Sequence, residues 1–110
     1  VRESTIEKYL RAEIAKLGGW MEKHTSPGRR GVPDNIVMWP AGHERNSLQL
    51  SGYPTTYSPT TEFIETKAPR GKLTVLQERD HECRMKMGFC VHVIWNMKQA
   101  EDYLRLRGKK

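Results

Sequence analysis

Apolar residues recur at Ile6, Leu10, Ile14 and Leu17 with polar residues between them. That spacing lays one apolar stripe along a helix of 3.6 residues per turn and predicts a helix from about 4 to 17. Ser4 is the expected N-cap and Gly18-Gly19 the stop. The period then shortens to two. WMEKH at 20–24 alternates like a half-buried strand, and NIVMW at 35–39 reads as a buried one, with the Pro/Gly-rich loop TSPGRRGVPD between them. EFIETK at 62–67 is the next strand, stopped by APRG. A second helix is expected from near Thr74 to about Met87, with Leu76, Cys83 and Met87 on one face. CVHVIW at 90–95 reads as a strand of buried type, and MKQAEDYLRLR as a closing helix.

The predicted order is αβββαβα: an α/β fold with a mixed central sheet flanked by helices, in one domain over 1–110. The segment from 40 to 60 does not fit this rhythm. It is long for a structureless connection, so it is read as a functional loop or hairpin insertion, in which SLQLS and TTY pair around GYP.

Composition narrows the class. At 36% hydrophobic and 29% charged residues, a globular domain is expected, with no run long enough to cross a bilayer and no membrane partner. The opening stretch VRESTIEKYL is polar and amphipathic, unlike a secretory leader. Lys and Arg outnumber Asp and Glu by 19 to 13, which favours a polyanionic partner, nucleic acid first. Cys83 and Cys90 lack metal-ligand spacing and read as reduced core residues, so a cytoplasmic protein is expected.

The chemistry begins at Asp34, placed at the mouth of an apolar strand where a carboxylate is costly to desolvate. Glu65 and Lys67 share one face of the later strand while Thr66 points away. Two acids and a lysine at one end of a sheet suit a hard divalent cation such as Mg2+, with the lysine attracting phosphate or orienting a water. Taken singly, Pro-Asp is a common turn and Glu-x-Lys a common exposed strand pattern. Their order on adjacent strands, with a basic loop between, is what makes them informative.

Together the stretches KHTSPGRRGVPDNIVMW and EFIETKAPRGKLTVLQ resemble the PD-(D/E)xK nuclease superfamily, and within it the virus-type replication–repair nuclease (VRR-NUC) family. The resemblance implies a restriction-endonuclease-like αβββαβ core and a Mg2+ or Mn2+ cofactor. It implies that Asp34 and Glu65 bind the metal, that the Thr66 carbonyl completes the shell, and that Lys67 serves the nucleophilic water. Glu7 stands where the family's opening-helix acid would be, yet Ser4-x-x-Glu7 is also a capping box, and both readings stay open. Gln77 would border the active site, although Thr74-x-x-Gln77 spells a capping box as well. Arg29, Arg30, Arg70 and Lys72 are the expected DNA-backbone contacts. His24 is expected to line the site and His43 not. Tyr53 and Tyr57 either stack on unpaired bases or anchor their own loop. By the same resemblance the substrate is branched DNA such as a four-way junction, cut to a 5′-phosphate and a 3′-hydroxyl by a homodimer in a phage or bacterial host cell. The long 40–60 segment departs from the family pattern. Two alternatives stand beside this reading: a nuclease of flap or restriction-type specificity, and a non-catalytic basic nucleic-acid-binding domain.

Overall fold

A computed structural model describes residues 2–43 and 58–110. The hairpin expected within 40–60, with Tyr53 and Tyr57, lies outside the described residues. The elements follow the expected order: α1 (Glu3–Lys16), β1 (Trp20–Lys23), β2 (Asn35–Trp39), β3 (Thr60–Thr66), α2 (Val75–Lys86), β4 (Cys90–Ile94) and α3 (Met97–Leu106). Among the described residues, no helix is long and apolar enough to cross a membrane.

The sheet has the order β1-β2-β3-β4. The first three strands pair antiparallel, and β3 pairs parallel with β4. A parallel neighbour cannot be reached by a tight turn, so α2 supplies the crossover. The sheet's two faces differ in chemistry. Met21, Val37, Trp39, Ile64 and Ile94 pack with Ile6, Leu10 and Ile14 of α1 and Ala100, Tyr103 and Leu104 of α3. On the other face of β3, Phe63 and Glu65 meet Arg84 and His81 of α2.

That second face overturns the expected packing of α2. Leu76, Cys83 and Met87 are exposed, Met87 by 74%, and the helix buries Asp80 and His81 instead. Gln77, Asp80, His81 and Arg84 stand at i, i+3, i+4 and i+7, so the inward stripe of α2 is polar. An apolar-periodicity rule looks for the wrong residues there. Cys90 is exposed too, so neither cysteine is a core residue. Of β4 only Ile94 is buried, because β4 is an edge strand and not the interior strand its apolar run implies. At the start of α1 the N-cap is Arg2 rather than Ser4, and no side chain caps the helix. The helix begins early enough to put Glu3 in its first turn, where an acid favours the helix dipole.

Candidate active site

The loop before β2 is shaped by one glycine. Gly31 has φ +83, and an added Cβ there would lie 2.4 Å from the Leu76 carbonyl oxygen and 2.9 Å from the Gln77 backbone nitrogen. Only a residue without a side chain lets this turn rest on the start of α2. Pro33 is buried behind it. The next residue, Asp34, is thereby delivered to the end of the sheet. Its backbone carbonyl accepts from His24 N at 2.7 Å, continuing the β1–β2 ladder by one step. The β2–β3 register, carried one step past Asn35↔Ile64, sets Asp34 across from Glu65.

Asp34 is tied to β3 directly. Its Oδ2 accepts from Thr66 N at 3.2 Å and from Thr66 Oγ1 at 3.4 Å. Glu65, only 1% exposed, has its Oε1 sealed from solvent without a hydrogen-bond partner. Its burial, and then the hydrogen bond and charge of Asp34, push its pKa up to about 9; Lys67 offsets part of this and Glu3 adds to it. Two carboxylates so placed cannot both ionise easily without a cation to hold them apart. A hard divalent ion with oxygen ligands answers this mutual repulsion, so the donor set fits Mg2+ or Mn2+. Lys67 is half-buried one residue beyond β3, its N–H donating to the Ile94 carbonyl at 3.0 Å.

Other sequence-predicted residues divide. His24 is half-buried opposite Asp34, its ring centroid 5.8 Å from that of Phe63. His43 stays away, stacked on Trp39 at 4.5 Å with Nε2 2.9 Å from the Arg107 carbonyl. Gln77 forms the full capping box: its N–H donates to Thr74 Oγ1 at 3.1 Å and its Oε1 accepts from Thr74 N at 2.9 Å. It also adjoins the Gly31 turn, so it holds the helix end against which Asp34 is positioned. Glu7 caps nothing. It is buried and ion-paired with Lys23 of β1. Arg29 is exposed but ion-paired, its Nε donating to Asp80 Oδ2 at 2.7 Å; Arg30, Arg70 and Lys72 are exposed as well.

Two residues beside the site escaped the sequence reading. Glu3 accepts from Ala68 N at 2.9 Å, just past Lys67. The signal for it was its place in the first turn of α1. His81 is 3% exposed, and its Nε2 stands 3.5 Å from Glu65 Oε1. It could have been found only by reading α2 as a helix with a polar inner stripe.

A second donor cluster lies farther along β3, where ligand atoms of Glu62, Cys90 and His92 fall within 4.8 Å of one another. Its carboxylate is already saturated. Glu62 accepts from Arg107 Nε and Trp39 Nε1, each at 2.8 Å, from Tyr103 Oη at 2.7 Å, and from Arg107 Nη2. A cation there would have to compete with a guanidinium, so the cluster is an ion-pair network.

No protein-family profile matches the chain. It is 38% identical over 94 residues to "Putative nuclease p44" of Acyrthosiphon pisum secondary endosymbiont phage 1, a match spanning 86% of this chain and 83% of that protein. A solved structure named "VRR_NUC domain" superposes with a TM-score of 0.72 at 28% identity, covering 93% of this chain and 92% of that one.

Proposed function

The chain belongs to the VRR-NUC family of nucleases, and from that premise we propose that it is a Mg2+- or Mn2+-dependent endodeoxyribonuclease acting on branched DNA, four-way junctions first. The observation that carries the reading is the apposition of two carboxylates, Asp34 and the buried Glu65, at the end of the sheet. Asp34, Glu65 and the Thr66 carbonyl are the proposed metal ligands. A divalent cation held there would supply charge neutralisation at the scissile phosphate and acidify the attacking water.

This chain's own residues do the rest. Thr66 fixes Asp34 through its N–H and hydroxyl, so the ligand is oriented before substrate arrives. Lys67, on the same face as Glu65, orients the attacking water and draws in the phosphate. Arg30, Arg70 and Lys72 hold the DNA backbone, and the net charge of +6 favours approach of the polyanion. Arg29 contributes by locking its loop to Asp80. Gln77 and Glu7 take supporting places, at the α2 cap and in the Lys23 pair. A homodimer would present two equivalent sites to the symmetric strands of a junction. The phage relative supports action in the cytoplasm of a bacterial host.

The test is cleavage of labelled four-way junction, flap, single-stranded and linear duplex DNA with Mg2+, Mn2+ or EDTA. Paired symmetric nicks on the junction, absent with EDTA and in Asp34→Asn, are expected. Metal-dependent cutting confined to flaps or linear DNA would retain the chemistry and remove the junction assignment. Binding without cleavage in any metal would leave a nucleic-acid-binding domain.

A further inference from the structure

His81 lies on α2, behind the proposed metal ligands. It is 3% exposed on the inner stripe of α2. Two unpartnered, solvent-sealed polar atoms face each other here: His81 Nε2 and Glu65 Oε1, 3.5 Å apart. A buried donor or acceptor left without a partner is costly, and two such atoms at this separation are one small movement from satisfying each other. Oε1 of Glu65 is the sealed oxygen; Oε2 is not among the sealed, unpartnered atoms. The two oxygens therefore have different tasks available to them.

We propose that His81 is a positioning residue that donates its Nε2–H to Glu65 Oε1, leaving Oε2 for the cation. The inference rests on the metal-dependent reading above. A carboxylate with one oxygen bound by a buried N–H presents the other in a single direction, as partners of metal-ligating carboxylates generally do. The fold supports the role. Gly31 seats the Asp34 loop on the start of α2, and Asp80, one residue before His81, is gripped by Arg29 and Arg84 at 2.7 and 2.6 Å. The helix that carries His81 is thus pinned to the loop that carries Asp34.

The experiment uses the full chain and Mn2+ or Mg2+ alone, without DNA. Mn2+ affinity is read from the electron-paramagnetic signal of free Mn2+ for wild type, His81→Phe, His81→Gln and Asp34→Asn. His81→Phe is expected to weaken binding by about 10–100-fold, and His81→Gln, which keeps an N–H donor, to recover most of it. In parallel, 15N spectra of wild-type imidazoles in Mg2+, assigned with His81→Gln, are expected to show Nε2 protonated. Equal Mn2+ affinity in His81→Phe and wild type would overturn the proposal. So would an unprotonated Nε2 in Mg2+, which would make His81 a ligand or a bystander. Should His81→Phe fail to fold, the wild-type 15N result decides alone. A wild-type chain that binds no Mn2+ brings down the metal-dependent reading together with this one, whereas intact binding lost in Asp34→Asn but kept in His81→Phe brings down this one only.

Discussion

Glu62 and Glu65 lie three residues apart on β3, each 1% exposed, and they have opposite fates. Glu62 faces α1 and α3, where Arg107, Tyr103 and Trp39 saturate its carboxylate. Burial alone would raise its pKa, but Arg107, His92 and Tyr103 override it and hold the carboxyl far below the usual range. Glu65 faces α2, where its Oε1 has no hydrogen-bond partner, and it meets the like charge of Asp34. Burial therefore does not by itself mark a carboxylate as functional. What separates the two is whether the fold provides the counter-charge or leaves it to be supplied from outside.

Removing the unsatisfied member should cost activity above all. Glu65→Gln is expected to lower cleavage by about 10³-fold, on the order of 4 kcal/mol of transition-state stabilisation, while the fold persists. Single-turnover rates beside circular dichroism check this. Retained cleavage would erase the distinction drawn between the two residues.

The mirror substitution should cost stability. Glu62→Gln strands the Arg107 guanidinium in the core, and breaking a buried pair in this way costs about 3–5 kcal/mol. Against a typical total of about 5–15 kcal/mol, that shows as a large fall in Tm or in the urea midpoint. A change of under about 1 kcal/mol would mean the network is no more than a surface-like pair.

The two glutamates also predict opposite pH limbs for the metal-free protein. Glu65 has a folded pKa of about 9 against an ordinary 4.5, so between those values the folded chain binds the extra proton and stability falls as pH rises. Glu62 is depressed below 4.5, so its contribution is present above that value and is lost as pH falls below it. Calorimetry from pH 3 to about 9.5 should show both limbs. Glu65→Gln should flatten the alkaline limb and Glu62→Gln the acid one; saturating Mg2+ should flatten the alkaline limb as Glu65→Gln does.

The smallest effect belongs to His92. It contributes one contact to Glu62, at 3.3 Å, beside stronger partners. His92→Ala should cost at most about 1 kcal/mol and leave Mn2+ binding unchanged. Lost Mn2+ affinity in this variant would move the metal centre to the Glu62 cluster.

Ile6, Leu10 and Ile14 were legible because burial in an apolar core writes its period into the chain. Asp34, Glu65 and Lys67 were legible because turn chemistry and strand alternation are local rules that place them at one sheet end. Gln77 spelled its capping box in four residues, and the box formed. Ser4 and Glu7 spelled one too, and it did not form: Glu7 found Lys23 on another strand.

The sequence by itself determined the order of elements, the placement of the two acids and the lysine, and the basic charge offered to a polyanion. Only the tertiary structure decided which of two buried glutamates is satisfied, that α2 turns Asp80 and His81 inward, and that Arg29 serves a loop. Those outcomes depend on residues far apart along the chain: Arg107 reaches Glu62, whereas Glu65 meets Asp34. No local period or spacing records a meeting that only the folded sheet brings about.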